Sequence, residues 1–158
     1  MAEFIENAVQ QVEPGQNVIL DTAIPCNRGN VFHRNQSGIV ILRGKVNCPN
    51  ACFARYAVEF DGNIALPDGA TVGQISASLA LNGEPIQTSK AVVTPAAAAD
   101  NPPTDNNFFA VTSRAIITVP KECCFSVAVE NTSAPAAAGG AAPAILVKNA
   151  NLTVERIA

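Results

Sequence analysis

The 158-residue chain has the length of one domain, at which folding buries roughly 70% of the unfolded surface, so a single hydrophobic core suffices. Only 15% of its residues are charged and 48% are hydrophobic, against about 25% charged in an average soluble domain, which predicts that other copies of the chain cover part of its surface. A net charge of −3 leaves no basic footprint for nucleic acid, and no apolar run approaches the roughly 20 residues that span a bilayer, so neither partner is expected.

The opening Met1-Ala-Glu-Phe-Ile-Glu lacks the basic and apolar regions of a secretory signal, which predicts synthesis in a cytoplasm without export by the general route. Phe4, Ile5, Ala8, Val9 and Val12 recur at helical spacing. Residues 1–14 are therefore expected to form a short amphipathic arm, either a tail or an attachment element, ending at Pro14-Gly15. From Gln16 the period shortens to two. Runs of β-formers occupy residues 17–24, 38–44, 52–60 and 74–81, and Ile75, Ala77, Leu79 and Leu81 show the alternation that puts one strand face in a core.

Turn chemistry separates these runs at Gly29-Asn30, Asp61-Gly62-Asn63, Pro67-Asp68-Gly69 and Asn82-Gly83, the last reading as a tight hairpin leading to Ile86. Three more β runs cover Asn107 to Val119, Cys124 to Glu130 and Ile145 to Ile157. Eight to ten short strands with no helix beyond the arm predict an all-β fold, an antiparallel jelly-roll β-sandwich over residues 15–158. The Ala/Pro/Gly-rich stretches 94–103 and 134–144 are expected to be surface loops.

The chemistry-bearing residues are sparse. His33 is the only histidine, and no nucleophile motif brings Cys26 or Cys48 to it, so it is expected to be a strand residue. Five cysteines (Cys26, Cys48, Cys52, Cys123 and Cys124) leave at least one without an intrachain partner. Cys48-Pro-Asn-Ala-Cys52 has a spacing that zinc could use. The candidate second pair, Cys123-Cys124, is vicinal, and neighbours on a strand point to opposite faces, which disfavours a metal. Free thiols, a Cys48–Cys52 disulfide and an interchain disulfide all stay open. The carboxylates Asp61, Asp68, Glu84, Asp100 and Asp105 form no acid/base pair or calcium loop, and no phosphate-binding glycine loop occurs. No catalytic residue and no cofactor is therefore expected. Arg28, Arg34, Arg43 and Arg55, on or beside predicted strands, read as salt-bridging edge charges, with docking on an acidic partner as the alternative.

The stretches Pro25 to Gly44, Cys52-Phe-Ala-Arg-Tyr, Ile75 to Pro85, Val119 to Cys124, and Val129 to Arg156 resemble a group of uncharacterised proteins of Gram-positive gut anaerobes and their phages or prophages. The strand plan is also similar to trimeric jelly rolls of the tumour-necrosis-factor (TNF) and C1q type. A strand opening after Pro-Gly, an Asn-Gly-Glu-Pro hairpin and a final strand closing the chain carry that resemblance. No collagen-like stalk precedes the domain, so among such proteins a free-standing building block fits best. The resemblance implies a non-enzymatic homotrimer on a virion surface, a capsid decoration or head-fibre component assembled in the cytoplasm, with a capsid or other particle protein as partner. The alternative is a recognition module, soluble or on a bacterial cell or spore surface, that binds a glycan or receptor through its loops.

Overall fold

The computed structural model describes residues 1–24, 29–34 and 36–158. Two six-stranded antiparallel sheets face each other across one core, so the expected all-β sandwich is the fold. The first sheet holds β1 (Ala2–Glu6), β2 (Gln10–Val12), β3 (Thr22–Ile24), β6 (Phe53–Ala65), β10 (Phe109–Pro120) and β12 (Ile145–Arg156). Its order is β10-β6-β12-β1-β3, with β2 also pairing to β12. The second holds β4 (Val31–Arg34), β5 (Ile39–Arg43), β7 (Ile75–Leu81), β8 (Glu84–Pro85), β9 (Ala91–Val93) and β11 (Cys124–Asn131). Its order is β4-β5-β11-β7-β8, with β9 on β7.

Alternation decides what each strand contributes. In β6, Ala54, Tyr56, Val58 and Phe60 are buried, while the intervening residues face away from the core. Tyr56 carries a hydroxyl into that apolar layer and donates it to the Arg43 carbonyl at 2.6 Å, with the Asn30 carbonyl 3.3 Å away. The bond ties the first sheet to the second at the end of β5. Asn82 and Gly83, both at positive φ, turn β7 into β8 as the sequence predicts, and the Ile86 N–H returns to the Leu79 carbonyl at 2.7 Å.

Three expectations are corrected. The helical arm over residues 1–14 is instead the strand pair β1 and β2. β1 pairs with β12 from Ala2↔Val154 to Glu6↔Ala150, and Phe4 and Val12 are buried in the core. Pairing to β12 supplies a ladder and a core slot that a solvent-exposed helix of a dozen residues lacks, so tertiary packing overrides the helical spacing. Of the five arm residues, Ala8 and Val9 lie exposed in the turn between the strands and Ile5 is half-buried. Second, Asp61-Gly62-Asn63 is not a turn but part of β6. A Cβ at Gly62 would lie 2.8 Å from the Phe60 ring, so the glycine makes room for a core aromatic. Third, the run at 17–24 is a strand only over Thr22–Ile24. Val18 and Leu20 are still buried, and the Val18 N–H bonds the Val129 carbonyl at 2.8 Å.

His33 lies on β4 as expected, facing inward beside the core, and its ring meets Phe4 of the opposite sheet at a centroid distance of 4.9 Å. Neither ring nitrogen has a hydrogen-bond partner among the described residues. Burial pushes its pKa below 6.5, with the Asp21 carboxylate opposing more weakly.

Phe4→Ala opens a cavity between the sheets and costs about 3–5 kcal/mol in denaturant unfolding. Deleting residues 1–12 lowers stability further and raises binding of a hydrophobic dye, because β12 loses both partners on one edge. His33 gives a pH test. Its folded-state pKa is depressed, so the unfolded chain binds the extra proton first; stability is complete above the unfolded value and declines as pH falls through about 6.5. Unfolding curves between pH 7.5 and 5.5 show that decline, and His33→Phe flattens it.

Candidate functional site

The outer face of the first sheet is the surface that its strands build most regularly. Residues opposite each other across a ladder share a face, so the β6–β10 register places Phe53 with Pro120, Arg55 with Thr118, Ala57 with Ile116, and Glu59 with Arg114 on the solvent side. On the other edge of β6, Glu155 of β12 stands opposite Ala57, and Thr153 opposite Glu59. Ile157 continues β12, its N–H bonding the Arg55 carbonyl at 2.9 Å.

This face is divided along its length. At the end where β6 begins, Ile116 is 61%, Ile157 48% and Phe53 45% exposed, with Ala57 and Pro120 between and beside them. Arg55 lies over the Phe53 ring at 5.7 Å and its Nε reaches the Thr118 hydroxyl at 3.5 Å. Its charge thus sits among the apolar side chains, over one ring and in the row between Phe53 and Ala57. The other end is polar. Thr112 donates to Asp61 at 2.6 Å and Asn151 to Glu3 at 2.7 Å, while Lys148 pairs with Asp105 and lies 4.3 Å above the Phe108 ring. Other large apolar side chains are exposed elsewhere, Phe32 on β4 among them, and exposed apolar residues are ordinary on a protein surface.

Beyond the apolar end, two loops meet. Residues 44–52 join β5 to β6, and 121–123 join β10 to β11. The Gly44 N–H bonds the Cys123 carbonyl at 2.8 Å, the Glu122 N–H bonds the Gly44 carbonyl at 3.0 Å and the Lys121 N–H bonds the Cys52 carbonyl at 2.8 Å. Cys48, Cys52 and Cys123 on these loops and Cys124 at the start of β11 are free, exposed thiols. Cys48 and Cys52 share an open cavity of about 470 Å³ with Phe53 and Arg156; Cys123 and Cys124 share one of about 290 Å³, and Val46 lines both.

The cysteines that the sequence singled out are therefore brought together as two neighbouring pairs, whereas His33 lies apart, inside the sandwich. Cys26 and Arg28 lie outside the described residues. Among the described residues no group of three His, Cys, Asp or Glu side chains could hold a metal ion. The salt bridges expected of Arg34, Arg43 and Arg55 do not form among the described residues, where Lys148–Asp105 is the ion pair found. Sequence reasoning missed Ile116 and Ile157. Their signal was present as the off-phase positions of two alternating strands, whose face is assigned only once the partner strand is known.

No family model matches the chain, and no curated protein matches it. Solved structures do. The globular domain of zebrafish complement 1qA protein is 12% identical, with 99% of this chain and 96% of that one covered at a TM-score of 0.57. The Eiger TNF from S. frugiperda is also 12% identical, with 100% and 92% covered at 0.50. At that identity the likeness is one of fold: the chain is a jelly-roll β-sandwich with the architecture of C1q and TNF domains.

Proposed function

We propose that the chain is a non-enzymatic structural module that associates with itself into a homotrimer and covers or extends the surface of a particle such as a virion head. The observation that carries the self-association is the apolar half-face of Phe53, Ile116 and Ile157, flanked by Ala57 and Pro120, in a chain with few charges. Three large apolar side chains on one rigid sheet have the composition of an interface core. The polar half beside them suits its rim. A contact that uses this face against a different edge of the next copy is heterologous and closes into a ring when the rotation per copy is a third of a turn.

The particle surface as destination is the expectation that the sequence raised for a free-standing jelly-roll building block. Attachment through the first twelve residues is restricted by the fold: Phe4 and Val12 belong to the core, which leaves Ala8 and Val9 of the β1–β2 turn to touch a partner.

Sedimentation equilibrium at tens of micromolar should return three chain masses of 16.3 kDa each. Burying an isoleucine is worth about 1.5–3 kcal/mol, and Ile116→Asp also strands a charge, so this variant raises the concentration of half-assembly at least tenfold. Its circular dichroism stays near that of the parent, since Ile116 touches solvent in the single chain. A parent chain that sediments as one mass at those concentrations overturns the reading.

A further inference from the structure

The loop of residues 44–52 carries a chemistry that self-association does not use. The Ala51 N–H bonds the Cys48 carbonyl at 3.1 Å, closing a turn over Cys48-Pro49-Asn50-Ala51, and Cys52 follows it directly. Such a turn folds the chain back so that the Cα atoms of Cys48 and Ala51 lie within about 7 Å, and Cys52 is the residue that leaves it. Both sulfurs are exposed and line one cavity. Cys123 and Cys124, by contrast, are sequence neighbours, the first closing the 121–123 loop and the second opening β11.

We propose that Cys48 and Cys52 form a thiol–disulfide switch, open in a reducing compartment and closed by exchange with a low-molecular-weight disulfide once the chain meets an oxidising one. One thiolate of the pair attacks a sulfur of the small disulfide, breaking its S–S bond, forming a mixed disulfide and expelling one small thiolate. The second protein thiolate attacks the mixed bond at the protein sulfur, forming the Cys48–Cys52 bond and expelling the other small thiolate. Two protein thiols are oxidised and one small disulfide is reduced to two thiols, which take up the two protons that the cysteines release. Closure holds the loop beside Phe53 in one conformation. The switch belongs to a single chain and does not rest on the trimer.

The sequence makes the product easy to read. Cleavage after Lys45 and Arg55 releases Val46–Arg55, which contains Cys48 and Cys52 alone, and cleavage after Lys121 and Lys148 releases Glu122–Lys148 with the other pair. The folded protein is incubated at neutral pH with oxidised glutathione or with dithiothreitol, alkylated, digested with trypsin and measured by mass spectrometry. After oxidised glutathione the expected main form of Val46–Arg55 carries no alkyl group and is two hydrogens lighter; after dithiothreitol it carries two alkyl groups. The double variant Cys123→Ser/Cys124→Ser gives the same pair of results, and Cys48→Ser gives neither closure nor a lighter peptide. Two alkyl groups after oxidation, glutathione retained on the peptide, a link to Glu122–Lys148 or a link to a second copy would each overturn the proposal.

Discussion

The double pairing of β6 governs the rest of the molecule. β10 follows it from Phe53↔Pro120 to Ile64↔Phe109, and β12 follows its other edge from Tyr56↔Arg156 to Ala65↔Leu146. A slip of one residue would exchange the two faces, sending Phe60 to solvent and Glu59 into the core, so burial of Tyr56, Val58 and Phe60 locks the register against both neighbours. The same lock decides what the outside offers. Ala57 and Ile116 meet on the outer face because Tyr56 and Ile117 meet on the inner one. The surface proposed for self-association is thus a by-product of core registry and needs no loop to build it.

Much of the strand plan was legible in the sequence because a half-buried strand leaves its signature in every second residue. Ile75 to Leu81 and the Asn82-Gly83 turn after it lie where local chemistry puts them, since positive φ and alternation are properties of a few adjacent residues. The N-terminal segment shows the opposite case. Phe4, Ile5, Ala8, Val9 and Val12 satisfy a helical stripe, yet Ala2 and Phe4 also satisfy a strand. What settles the choice is the edge of β12, well over a hundred residues later in the chain. Gly62 misled for a related reason. A glycine between Asp and Asn is turn chemistry by local rules, but here it clears space for a ring two residues back.

The candidate site was less legible than the fold. Exposure of Ile116 beside Ala57 is a relation between strands far apart in the chain, and nothing near either residue records it. The meeting of the two cysteine pairs is likewise a consequence of β5 and β11 pairing while β6 and β10 pair, which sets the 44–52 and 121–123 loops side by side at one end of the sandwich. The thiols and their spacing are local facts of the chain; their neighbourhood belongs to the topology.

That neighbourhood also determines where the switch would be felt. A disulfide between Cys48 and Cys52 closes so short a loop that its restriction of the unfolded chain contributes about 2 kcal/mol or less, small beside the 5–15 kcal/mol of a typical domain. Its effect is therefore local. Cys52 directly precedes Phe53, and its carbonyl holds the Lys121 N–H just past Pro120, so the Phe53–Pro120 row that ends the apolar half-face adjoins this loop. Ordering the loop before association removes part of the conformational entropy that Phe53 and Pro120 would otherwise lose in the interface. Oxidation and assembly would then favour each other, and by linkage the assembled form would hold the closed disulfide more tightly than the single chain does.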